Sequence, residues 1–169
     1  MRILILLCVT ITAATVGLAL PEPHRVLDRE GIIREIIERA GAEQVNPALA
    51  LAIVEIESTF NPRAIRHEVR LNTASVGLFQ VLHTTARGFK FKGSIEDLME
   101  PIVNIKLGLR YLKRCGPPDD LAWIACCYQS GFAAKKAWCA GDERVIRYHE
   151  KLKTRFHKWV TVLAFTENE

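Results

Sequence analysis

Two carboxylates in one short stretch carry the most pointed chemistry in this chain. The run from Asn46 to Pro62 reads N-P-A-L-A-L-A-I-V-E-I-E-S-T-F-N-P. It opens as a helix does: Asn46 can accept from the free N–H groups of a first turn, and Pro47 suits the first helical position. Pro62 closes it by holding Asn61 out of the α region. At about 100° per residue, Leu49, Ile53, Ile56 and Phe60 fall on one side of the wheel. Glu57 projects inside that apolar arc, and Glu55 projects onto the opposite side, which is expected to be solvated. Burial disfavours the charged form of a carboxylate and raises its pKa, so Glu57 is placed to hold a proton near neutral pH and deliver it. Taken alone, the helix also allows a blander reading, a carboxylate hydrogen-bonded and idle at a ragged helix end.

Other chemistries have less support. His67-Glu68 and His149-Glu150 hint at a zinc peptidase, but Leu71 and Lys153 stand where the second histidine of H-E-x-x-H would be. No metal and no cofactor is expected. There is no G-x-S-x-G elbow, no phosphate-binding P-loop and no cysteine in a papain-like context. The formal charge of +4 and pI near 8.9 permit attraction to an anionic polymer such as a cell wall. The basic residues form no nucleic-acid motif and read as solvated helix faces.

The elements that must position Glu57 follow from the rest of the chain. Its 169 residues, 49% hydrophobic and 25% charged, suffice for one globular domain with a real core. Residues 1–19 read as a signal peptide: Arg2 precedes an uncharged apolar run from Ile3 to Leu20, and Gly17 and Ala19 suit a peptidase cutting after Ala19. The run is also close to the length of an uncleaved membrane anchor. Residues 20–26 are a linker, and the catalytic domain is expected over 27–165. There, Asp28 to Ala40 makes an amphipathic helix stopped by Gly41. Thr59 to Val76 shows no clear period and reads as loop. A turn and short helix run from Gly77 to about Arg87, closed by Gly88. Ser94 and Asp97 form a Ser-x-x-acid cap. Ile102, Ile105, Leu109 and Leu112 mark a longer helix ending at Gly116. Asp119 or Asp120 caps the next, which finishes at Gly131, and the last begins near Asp142 and passes Trp159. No hairpin signal and no internal repeat is evident, so the expected fold is all-α, one domain of about seven helices.

Export would place the cysteines in a disulfide-permissive compartment. Cys8 is a bystander in the apolar run. Cys115, Cys126, Cys127 and Cys139 are even in number, and no C-x-x-C pair occurs. Cys126 and Cys127 are adjacent on a helix and point in different directions, so each would need its own partner. Two bridges linking them to Cys115 and Cys139 are one expectation; four small buried hydrophobes are the other.

Five patches in order complete the pattern: Glu57-Ser58-x-Phe60-Asn61-Pro62, Gly77-Leu78-Phe79-Gln80, Asn104-Ile105-x-x-Gly108-x-x-Tyr111-Leu112, Cys127-Tyr128-Gln129-Ser130-Gly131 and Tyr148-His149-Glu150-Lys151-Leu152. Together they resemble the soluble lytic transglycosylases, over most of the chain from about Ile32 to Phe156. The resemblance implies a lysozyme-like fold with a substrate groove and cleavage of the MurNAc–GlcNAc β-1,4 bond of peptidoglycan. It makes Glu57 the acid that protonates the leaving oxygen. Glycosidases ordinarily pair such an acid with a second carboxylate. In this family the sugar's N-acetyl group and 6-hydroxyl are held to replace it, with the ionised glutamate taking the hydroxyl proton to leave a 1,6-anhydro end. Proximity makes an intramolecular attacker effective.

Further roles are implied by motif position. Ser58 would bond near the acid or the substrate. Gln80 would position a sugar or Glu57, and Tyr128 and Tyr148 would reach the carboxyl or the N-acetyl oxygen. Phe79, with Leu78 and Phe60, would line the groove or fill the core. Gly77, Gly108 and Gly131 would allow close backbone approach. Gln129 stands where the family usually has Asn, Ser130 where Ala is frequent and His83 where Pro is usual, and the loop between Phe60 and Gly77 is somewhat long. Two other readings stay open. One is a lysozyme-type muramidase, for which Glu68 or Asp97 would be the second carboxylate; the other is a non-catalytic wall-binding assembly factor. The expected partner is the glycan strand, with a secretion machine or virion as a further candidate. The expected state is a monomer, exported to the periplasm or beyond, or anchored through residues 3–20.

Overall fold

The computed structural model describes residues 26–132 and 139–166. The expected signal peptide, residues 1–19, and the expected linker up to residue 25 lie outside the described residues. Among those described, no helix is long and apolar enough to cross a membrane.

The centre of the molecule is α2, Pro47–Ser58. Asn46 accepts from the Leu49 N–H at 3.1 Å, and Pro47 fills the first helical position, as the sequence requires. The expected one-sided apolar arc is too narrow, however. Every residue from Ala48 to Val54 is buried, as befits a helix that is hydrophobic all round and enclosed by other elements. α1, Arg29–Ala42, packs on it, with Ile32, Ile36 and Ala40 inward. Asp28 caps α1 by accepting from the Gly31 N–H at 2.8 Å, and the helix runs through Gly41 before Gln44, at φ 58°, turns the chain.

On the far side, α2 packs against α7, Glu143–Thr166. That contact corrects the expectation for Glu55. Its carboxylate is covered by α7 and accepts from Lys158 Nζ and Trp159 Nε1, each at 2.8 Å, with Arg155 3.5 Å away. Burial pushes its pKa up, but these bonds and charges outweigh it and hold Glu55 below the ordinary carboxylate range. Its partners lie about a hundred residues away in sequence, so a helical wheel cannot see them.

The helical frame is as expected, but the segment from Thr59 to Val76 is not all loop and holds a small sheet. β1 (Ile65–Glu68), β2 (Thr73–Val76) and β3 (Val81–Leu82) form an antiparallel sheet in the order β1-β2-β3. Ile65 pairs with Val76, Arg66 with Ser75 and Glu68 with Thr73. The hairpin has no Asn-Gly or Asp-Gly turn to announce it. Its strands are joined instead by a 3₁₀ turn, Val69–Leu71, followed by Asn72 at φ 46°. β1 is mostly exposed on both faces, so it shows no polar–apolar alternation to read. The turn and short helix expected from Gly77 are present: Gly77–Gln80 is the turn into β3, and α3 spans His83–Gly88.

The remaining elements match their sequence signals. α4 (Ile95–Met99) has both halves of the Ser94–Asp97 capping box. α5 (Pro101–Cys115) stops at Gly116, and α6 (Leu121–Ser130) is capped by Asp120, which accepts from the Trp123 N–H at 3.0 Å. Cys115 is bonded to Cys127 and Cys126 to Cys139, so the two adjacent cysteines tie α6 to the end of α5 and to the chain just before α7.

Two glycines give the groove its floor. Gly77, at φ 75°, faces the Asn104 amide, and Gly108 lets the Phe79 ring lie directly on α5. Gly131 sits at φ 76°, a backbone conformation that calls for glycine, with no described residue within 4 Å of where a Cβ would stand. A Gly108→Ala methyl would collide with both the Cβ and the ring of Phe79. We expect a loss of about 1–3 kcal/mol in denaturant unfolding, because the buried ring would have to shift from its place.

Candidate active site

A groove of about 300 Å³ opens between the end of α2, the sheet, and the tyrosine-bearing faces of α5 and α6. Its lining includes Glu57, Arg66, Glu68, Ser75, Phe79, Gln80, Tyr111, Tyr128, Gln129 and Arg144. Glu57 enters it from the last turn of α2. The chain then breaks sharply, with Thr59 at φ 51° and Phe60 at φ 65°, two consecutive non-glycine residues in the left-handed region. Such residues persist only when their surroundings over-determine them. Here Phe60 is clamped between the Trp159 ring, edge-on at 5.7 Å, and the Arg29 guanidinium at 4.6 Å from its centroid.

The Tyr148 hydroxyl, from α7, donates to Glu57 Oε1 at 2.6 Å. Desolvation pushes the Glu57 pKa above its ordinary 4.5; the Tyr148 bond and the Arg66 charge pull the other way, and Glu68 adds a small upward push. The net direction is up. A half-buried, desolvated carboxyl held by one donor and facing a groove can carry a proton at mild pH and release it to a bound molecule.

Three tyrosines wall the acid. Tyr128 and Tyr148 stack with centroids 6.3 Å apart, and Tyr111 meets Tyr128 edge-on at 5.2 Å. Burial, with the Glu57 charge, keeps the hydroxyls of Tyr128 and Tyr148 well above the ordinary tyrosine range and pushes Tyr111 up to about 12. All three therefore stay protonated as donors. Tyr111 donates to the Cys127 carbonyl at 3.0 Å. The Tyr128 hydroxyl is buried with no partner among the described residues, a group that awaits an acceptor.

The other expected residues divide. Phe79 is both core and groove wall, and Gln129 is exposed on the groove rim. Gln80 lines the groove, but its Nε2 donates to the Ala64 and Gly77 carbonyls at 3.1 and 3.0 Å, so it braces the β2–β3 turn and does not bond Glu57. Ser58 does not line the groove. Its buried hydroxyl donates to the Val54 carbonyl at 3.1 Å, within its own helix. Phe60 and Leu78 are core. His83 contacts the Gly93 carbonyl at 3.2 Å. The Ser130 hydroxyl is buried with no partner among the described residues.

Sequence reasoning assigned no role to Tyr111, Arg66, Arg144 or Asn104. Asn104 is fully buried. It accepts from the Phe79 N–H and donates to the Val76 and Leu98 carbonyls, each at 2.9 Å, stapling the floor of the groove to α5. The signal was a polar residue at an inward position of a strongly amphipathic helix. Of the two guesses for a second carboxylate, Asp97 belongs to the α4 cap, whereas Glu68 lies in the groove with Glu57.

Known proteins share these features in part. Over 89 residues the chain is 37% identical to membrane-bound lytic murein transglycosylase C of Sodalis glossinidius, covering 48% of this chain and 23% of that protein. Over 88 residues it is 38% identical to the protein of that name from Yersinia enterocolitica, covering 48% and 22%. The chain thus spans under a quarter of the length of these relatives. The crystal structure of an inactive mutant of the lytic transglycosylase Slt from Pseudomonas aeruginosa superposes with a TM-score of 0.62 at 18% identity, over 78% of this chain and 24% of that one. At that identity the likeness concerns the fold, which is lysozyme-like. The family model for the transglycosylase SLT domain matches residues 34–151, well over half the chain. With its helical frame, small sheet and acid-bearing groove, the chain belongs to the transglycosylase SLT domain family.

Proposed function

We propose that the chain is a peptidoglycan lytic transglycosylase that cleaves the MurNAc–GlcNAc β-1,4 bond with Glu57 as its single proton-transfer group. The observation that carries this reading is the half-buried Glu57 carboxyl, held by Tyr148 at 2.6 Å and opening on the groove. Protonated Glu57 gives its proton to the leaving oxygen as the C1–O bond breaks. The sugar's own 6-hydroxyl then attacks C1 and returns its proton to Glu57, leaving a 1,6-anhydro end. The unpartnered Tyr128 hydroxyl is positioned to bond the N-acetyl oxygen, and the rim residue Gln129 to meet the sugar chain. Substrate of this kind lies outside the inner membrane, so the reading includes export under the leader at residues 1–19. A role in wall turnover, beside a secretion machine or in a virion fits equally.

Mass analysis of digested peptidoglycan tests the reading. Anhydro ends are expected; hydrated reducing ends would replace it with a muramidase, and no cleavage with Glu57→Gln phenotypically silent would leave a wall-binding factor.

The Tyr148 bond sets a further expectation. Because that bond lowers the Glu57 pKa, Tyr148→Phe should move the basic limb of the activity profile to higher pH. Loss of the orienting donor should also cost about tenfold in kcat. An unshifted limb would show that the hydroxyl does not bond the working acid.

A further inference from the structure

Glu68 has no part in a mechanism that uses one glutamate, yet it is built into the same groove. Arg66 and Ser75 are paired across β1 and β2, and Glu68, two residues on from Arg66, falls on the same face of the sheet. Arg66 Nε donates to Glu68 Oε1 at 2.7 Å, and the buried Ser75 hydroxyl donates to the same oxygen at 3.1 Å. Both donors fall on Oε1, and among the described residues none falls on Oε2. The side chain is 30% exposed, half the exposure of Arg66 beside it. A surface ion pair by itself means little. Here, though, a buried serine hydroxyl serves the carboxylate, and all three side chains face the groove that holds Glu57. Bonds from two donors favour the ionised form, so the groove holds one carboxyl pressed toward its neutral state and one pressed toward its charged state.

We propose that Glu68 is a second catalytic carboxylate of this groove: an anion set against the sugar ring, where it offsets the positive charge that builds as the glycosidic bond breaks. The inference rests on the proposed glycan cleavage and deepens it. Glu68 exchanges no proton. The C1–O bond to the leaving sugar breaks as Glu57 protonates that oxygen, and the C1–O6 bond forms as the 6-hydroxyl proton passes to Glu57. Nothing is oxidised or reduced. Glu68 acts only through its charge, which counts for more in a groove than in water.

The test uses the purified chain on labelled peptidoglycan, with Glu68→Gln and Glu68→Asp beside the parent. Glu68→Gln keeps the shape and removes the charge. It is expected to lower kcat on the order of 100-fold, with KM within about twofold and the melting temperature unchanged. Glu68→Asp should recover part of the rate, and anhydro ends should persist in every variant. A second measurement needs no turnover. A positively charged iminosugar built on N-acetylglucosamine should bind Glu68→Gln about tenfold more weakly, while a neutral N-acetylglucosamine oligomer binds both proteins alike. Unchanged kcat, a loss confined to KM, or equal binding of the iminosugar would each overturn the role of Glu68. Hydrated ends that vanish in Glu68→Gln would overturn it too, by making Glu68 a base for water. A parent chain that cleaves no peptidoglycan would sink the glycan reading itself, and the two failures are thereby told apart.

Discussion

Glu57→Gln should reduce glycan cleavage on the order of 10³-fold while making the protein more stable at neutral pH. The two halves have one cause. The amide keeps the size of the carboxyl and can still accept from the Tyr148 hydroxyl, so the groove survives, but no proton can be delivered. Stability follows from linkage. The folded chain holds a proton on Glu57 that the unfolded chain releases above the ordinary 4.5. Between that value and the raised folded pKa, the native state binds more protons than the unfolded state, so the Glu57 contribution to stability falls as pH rises. Above the folded pKa the full cost of burying the charge applies. Replacing Glu57 by glutamine removes that cost, so melting curves in mildly alkaline buffer should shift upward, and the gain should shrink toward acid pH. An active Glu57→Gln variant would remove Glu57 from the chemistry. A variant that is inactive and markedly less stable would show that the side chain serves the fold.

Asn104→Ala is expected to be among the most destabilising single changes in the chain. It removes three hydrogen bonds at once and leaves the Phe79 N–H and the Val76 and Leu98 carbonyls facing a cavity. Each buried group so orphaned costs about 1–3 kcal/mol, so the three together cost about 3–9 kcal/mol, a large fraction of the 5–15 kcal/mol that typically separates folded from unfolded states. Denaturant unfolding measures it directly. Because Asn104 anchors the Gly77–Gln80 turn, part of the groove wall should loosen before the core does. Hydrogen exchange at Phe79 and Gln80 should therefore accelerate more than exchange in α2. Uniform acceleration would mean that Asn104 supports the domain as a whole.

The chain's own order of residues determined a good deal. Caps at Asn46 and Ser94 stood where they were expected, and Asp120 was one of the two residues expected for a third, because capping is local: a side chain and an N–H three residues away decide it. The placement of Glu57 among apolar neighbours was legible for the same reason, since helical periodicity projects onto one element. Spacing alone could not show what meets that element from elsewhere. The Tyr148 hydroxyl on Glu57, the covering of Glu55 by Lys158 and Trp159, and the turn of Ser58 toward its own helix are decided by which helix packs where. The sheet escaped notice because its strands span at most four residues and its turn uses a 3₁₀ segment in place of a glycine pair. That sheet brings Arg66, Glu68 and Ser75 to the groove. The acid was written in local sequence, and its surroundings were settled only when distant segments packed together, because burial and charge pairing belong to the assembled structure and not to any one stretch of chain.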